Sequence, residues 1–149
     1  MSKAWHLDRP GSIDGLVLRE TPGATPVNGQ VLVRVRAVAL NNRDSMIIHD
    51  QYGMPIARGR IPLSDCAGDV IATGPGVTRF KIGDRVTATI LPDWIGGELQ
   101  PEFFGSDLGA AVDGVFTQEL VIEERALIKI APHLTFEEGS TLGCAGVTA

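Results

Sequence analysis

The chain has 149 residues, 44% of them hydrophobic and 21% charged, the make-up of one ordinary domain large enough to bury a core. Its net charge of −5, with Lys and Arg scattered rather than clustered, argues against a nucleic-acid or anionic-membrane surface. Two cysteines far apart, Cys66 and Cys144, exclude a disulfide framework and a Cys-rich zinc knuckle.

From the N-terminus, Met1 to Pro10 lacks the apolar stretch of a signal peptide, and Arg34 and Arg36 interrupt the longest apolar run. A cytoplasmic protein that does not enter a membrane is expected. Short strands are predicted near Ala4-Trp5-His6 and Leu16-Val17-Leu18, then a polar loop to Gly29. Gln30 to Leu40 alternates, with Val31, Val33, Val35, Ala37 and Ala39 on one face and Arg34 and Arg36 on the other, as in a half-buried strand. Asn42 to His49 suits a short helix, for which Asn41 is a favoured N-cap.

A strand from Ala67 to Thr73 runs into Gly74-Pro75-Gly76, and another covers Arg85 to Ile90. Glycines at 74, 76 and 83 permit the positive-φ turns that join short strands. Gly74-Pro75-Gly76 begins a GxGxxG-like string, but position 79 is Arg and no helix follows, so it reads as a turn and not as a phosphate-binding loop. Leu91 to Val112 has no periodicity, and loops of that length are functional or tolerated insertions. Phe116 to Ile122 and Ala126 to Ile130 read as two further strands. Thr135-Phe136-Glu137-Glu138 is a capping box that starts a helix, with no Gly cap or polar last turn before Ala149.

Gly74-Pro75-Gly76-Val77-Thr78-Arg79-Phe80-Lys81-Ile82-Gly83-Asp84-Arg85-Val86, together with Cys144-Ala145-Gly146-Val147-Thr148-Ala149, resembles the medium-chain dehydrogenase/reductase family in its N-terminal GroES-like catalytic domain. The resemblance covers roughly residues 31–149. It implies a mainly β fold: a partly open β-barrel with short helices, residues 1–134 forming the substrate domain. Residues 135–149 would start the helix leading toward a Rossmann nucleotide-binding domain that these residues lack, as in a truncated chain.

In the zinc-dependent alcohol dehydrogenases of that family, three ligands fall at positions matching Asn41, Ser64 and Cys144, and only Cys144 is a plausible one. Residues 91–112, where a structural zinc lobe would lie, contain no Cys. The resemblance therefore implies no metal and the zinc-independent branch, the quinone and enone or enoyl reductases. There, Asn41-Asn42-Arg43-Asp44 is similar to the family's Asn-x-x-Asp element.

By the same resemblance, Asn41 and Arg43 would line the cleft near the substrate carbonyl, with Asp65 orienting its floor. Asn42 and Thr148 would approach the cofactor, and Trp94 and Phe104 would wall the substrate. The implied cofactor is NADPH, with NADH the alternative, held mainly by the other domain. The implied partners are a small carbonyl or quinone substrate and, for the parent enzyme, a second copy of itself. Two other readings stay open: an alcohol dehydrogenase acting on alcohols or aldehydes, and a non-catalytic GroES-like binding module. A truncated chain would expose apolar surface near Phe136, Leu142 and Val147.

Overall fold

The computed structural model describes residues 1–149. Seven strands and two short helices follow one another: β1 Ser2–Leu7, β2 Leu16–Thr21, β3 Gln30–Ala39, α1 Asn42–Ile48, β4 Asp65–Thr73, β5 Arg85–Ala88, β6 Glu119–Glu123, β7 Leu127–Lys129 and α2 Phe136–Ser140. β1 and β2 form an antiparallel hairpin; the other five make an antiparallel sheet in the order β6-β3-β4-β5-β7. The two sheets do not close on each other, so the architecture is mainly β and open. No helix is long and apolar enough to cross a membrane.

The expected strict alternation along β3 is corrected by the fold. Register shifts fall between Leu32 and Val33, where the extra residue is Ile71 of β4, and between Val35 and Ala37, where it is Arg36 of β3. Val31, Leu32 and Val33 are all buried, whereas Ala37 and Ala39 are only half-buried. The predicted strand beginning at Phe116 starts only at Glu119. Residues 116–118 instead staple the hairpin to the main sheet: the Trp5 N–H donates to the Phe116 carbonyl at 2.9 Å, and the Gln118 N–H to the Lys3 carbonyl at 2.9 Å.

The glycines after β4 serve two purposes. Gly76 and Gly83 take φ of 76° and 90°, as their turns require. Gly74 is not left-handed; a Cβ there would stand 1.8 Å from the Val27 carbonyl oxygen, so its role is close approach.

The main core joins Val31, Val33, Cys66, Val70, Val86, Val115 and Leu127, each contributing roughly 1.5–3 kcal/mol by leaving water. A smaller cluster of Leu7, Ile47, Ile56 and Ala110 seats α1 against the hairpin. α2 lies against β3, β4 and β5. Its capping box forms as expected: the Glu138 N–H donates to Thr135 Oγ1 at 3.1 Å and the Thr135 N–H to Glu138 Oε2 at 2.8 Å. Beyond Ser140 the chain widens into a π-helical turn, Leu142–Gly146, rather than running on as one α-helix. Leu142 and Val147 there are exposed, and Phe136 is half-buried.

Candidate active site

Three pieces of backbone meet here: the start of α1, the start of β4 and the π-helical turn. Leu63, immediately before the β4 segment, has φ of 69° while its side chain is 2% exposed. A branched residue in the left-handed region is costly and persists where packing over-determines it. The bend turns the chain so that Ser64, Asp65 and Cys66 all enter the interior, each at most 1% exposed.

Asn41 is the N-cap of α1 and forms a capping box with Asp44. In that box the Asn41 backbone N–H donates to Asp44 Oδ2 at 2.8 Å. The Asn41 side-chain amide also donates from Nδ2 to Asp65 Oδ2 at 2.6 Å. Asp65 Oδ1, fully buried, makes no hydrogen bond. Gly143 leaves room for that oxygen, because a Cβ at 143 would lie 2.9 Å from it and 2.3 Å from the Ala88 carbonyl oxygen. Burial pushes the Asp65 carboxyl above its ordinary range, against the opposing pull of Asn41, Arg43 and the nearby Ala145 N–H. Asp44 is raised for the same reason, burial outweighing the Asn41 N–H and Arg43.

Arg43 does not present open donors. Its three guanidinium nitrogens donate to the Tyr52 hydroxyl at 3.3 Å, the Leu108 carbonyl at 3.1 Å and Asp107 Oδ1 at 2.5 Å. Tyr52 donates in turn to Asp107 Oδ2 at 3.0 Å. Burial, which alone would lower the Arg43 value, is outweighed by Tyr52 and Asp107, so the guanidinium is held charged. Tyr52 and Asp107 were not singled out from the sequence. Asp107 lies 64 residues from Arg43 within an aperiodic segment, so no spacing rule connects them.

Asn42 and Thr148 are both exposed. Asn42 Nδ2 reaches only the Met46 sulfur, at 3.6 Å, which leaves its amide open to a ligand, whereas the Thr148 hydroxyl donates back to the Cys144 carbonyl at 2.8 Å. Trp94 and Phe104 stay on the surface of the 91–112 segment, 39% and 48% exposed, with Trp94 Nε1 donating to the Gly97 carbonyl. Among the sequence candidates, Asn41, Arg43 and Asp65 thus cluster, while Trp94, Phe104, Asn42 and Thr148 stand at the periphery.

The donor set does not fit a catalytic zinc. No three His, Cys, Asp or Glu side chains gather anywhere in the chain. Ser64 and Asn41 are poor ligands, Asp65 is engaged by Asn41, and burial followed by the Asp65 charge keeps the Cys144 thiol protonated. Cys66, one residue further on, is packed in the core, and burial pushes its thiol up to about 12. The Gly74–Gly76 turn joins strands and opens no helix, so it is not a phosphate-binding loop.

Residues 27–132 match the family model described as the alcohol dehydrogenase GroES-like domain. The chain is 36% identical over 121 residues to a zinc-type alcohol dehydrogenase-like protein of Schizosaccharomyces pombe, covering 81% of this chain and 35% of that one. It is also 36% identical over 124 residues to a trans-enoyl reductase of a Penicillium species, covering 83% and 30%. A solved structure assigned as an alcohol dehydrogenase from Sinorhizobium meliloti 1021 superposes with a TM-score of 0.89 at 34% identity, covering 99% of this chain and 44% of that one. The chain spans about a third of the length of these curated relatives.

Proposed function

The chain belongs to the alcohol dehydrogenase GroES-like domain family, and from that premise we propose that it is the substrate-side domain of an NAD(P)H-dependent oxidoreductase that reduces a quinone or an α,β-unsaturated carbonyl without zinc. A nucleotide-binding domain outside these residues completes the cleft, with residues 135–149 leading toward it. The enzyme works as a cytoplasmic homodimer that binds neither nucleic acid nor membrane. NADPH, or NADH in its place, supplies a hydride when bound.

The observation that carries this reading is the Asn41–Asp65 pair. Fixing one Asn41 amide hydrogen on Asp65 leaves the second for an acceptor oxygen. Hydride arriving at the carbon conjugated to a carbonyl drives an electron pair onto that oxygen, which is then protonated from solvent. A preorganised N–H aimed at the developing charge stabilises it without a metal. Asp65 acts through Asn41, fixing the orientation of its amide. Asn42 and Thr148 face the cofactor, while Trp94 and Phe104 border an apolar substrate.

The test is NADPH-dependent reduction of a quinone and of 2-cyclohexenone by the chain expressed in its continuous reading frame, with and without chelator. Chelator-insensitive turnover is expected, and Asn41→Ala should lower kcat/KM by roughly 100-fold or more, as loss of such a donor does. Alcohol oxidation abolished by chelator would overturn the proposal in favour of an alcohol dehydrogenase, the reading suggested by the Schizosaccharomyces pombe relative's name. Absence of turnover with either substrate class would leave the binding-module reading.

A further inference from the structure

The 91–112 segment is closed at its base. The Asp93 N–H donates to Ser106 Oγ at 3.1 Å, and the Leu108 N–H to the Ile90 carbonyl at 3.1 Å. Between these points Trp94, Ile95, Leu99 and Phe104 are exposed, and residues 101–106 form a 3₁₀ turn that ends at Asp107. The loop's apolar residues therefore ride on a stem whose last residues, Asp107 and Leu108, are the ones that Arg43 holds.

That attachment is dry and saturated. Asp107 is 2% exposed and both of its carboxylate oxygens are engaged, one by Arg43 and one by Tyr52. Arg43 Nη1 adds the Leu108 carbonyl, lies 3.7 Å from Asp44 Oδ1, and the guanidinium stands 5.0 Å from the centre of the Tyr52 ring. Arg43 lies two residues from Asn41 on the same helix start. A shift of α1 that moved Asn41 would be transmitted through the planar fork to the loop stem, and the reverse.

We propose that Arg43 is a positioning residue: with Tyr52 and Asp107 it tethers the 91–112 segment to α1, so that the apolar wall and the Asn41 amide keep a fixed relation. The statement about the wall rests on the function proposed above; the tether itself does not. Lysine at 43 retains the charge, but its three N–H groups radiate from one nitrogen and cannot span acceptors met by three separate guanidinium nitrogens, and phenylalanine at 52 removes only the hydroxyl link.

The test is backbone hydrogen exchange on the full 149-residue chain for Arg43→Lys, Tyr52→Phe and Asp107→Asn. Amides of residues 91–108 should exchange faster by roughly tenfold or more in Arg43→Lys and Asp107→Asn and less so in Tyr52→Phe, with the β3–β4 amides unchanged. Should Asp107→Asn lose protection throughout, Arg43→Lys and Tyr52→Phe decide the matter. Unchanged exchange in 91–108, or an increase shared equally by β3 and β4, overturns the tether. In the reductase assay the same variants should raise KM for a bulky quinone several-fold with kcat nearly constant. A selective exchange effect without any reductase turnover would leave the tether standing and count against the proposed function instead.

Discussion

Asp65 is buried with its Oδ1 outside any hydrogen bond, and the nearby Ala145 N–H only partly offsets that burial. Because burial raises its folded-state value above the 3.8 of an exposed Asp, the folded chain keeps a proton that the unfolded chain has released. Stability therefore falls as pH climbs from about 3.8 through the raised value, and Asp44 contributes with the same sign. Asp65→Asn removes one such group while retaining an acceptor for Asn41. Its stability relative to wild type should be greater at pH 7 than at pH 4, read from urea melts; an equal difference at both pH values would refute the account. Leu63 permits a second test. Leu63→Ala and Leu63→Gly both empty the same buried site, at about 2–5 kcal/mol. Glycine alone relieves the left-handed backbone, so the Gly variant should be the more stable of the two by about 1 kcal/mol, the reverse of the usual order.

The elements were legible where one local rule decided them. The capping box at Thr135 fixed the start of α2, and Thr135→Ala should cost about 1 kcal/mol in thermal or urea unfolding. The β3, β4 and β5 strands stood out by alternation and the Gly76 and Gly83 turns by glycine chemistry. What the sequence hid was set by partners distant along the chain. The register shifts between β3 and β4 depend on how the two strands pair, and the truncated start of β6 on the hairpin's claim to residues 116–118. At the site, Asn41, Arg43 and Asp65 were reached through a family likeness. Yet the bond from the Asn41 amide to Asp65, 24 residues away, and the Arg43 partners lay beyond any spacing argument.

At the scale of the molecule, the hairpin, the sheet and α1 are joined by a few specific contacts rather than by one continuous barrel wall. The main core runs under β3, β4 and β5 and holds Cys66 at 1% exposure, while Cys144 sits half-buried in the π-helical turn. The two thiols thus differ in what must move before either meets solvent. A mild alkylating reagent should modify Cys144 through local motion of that turn. Cys66, whose proton is held up to about 12, should react only when the sheet itself opens. Once Cys144 is blocked or replaced by Ser, the slow labelling of Cys66 becomes a clock built into the native sequence. Its rate would record how often the core comes apart under conditions in which the chain is otherwise folded.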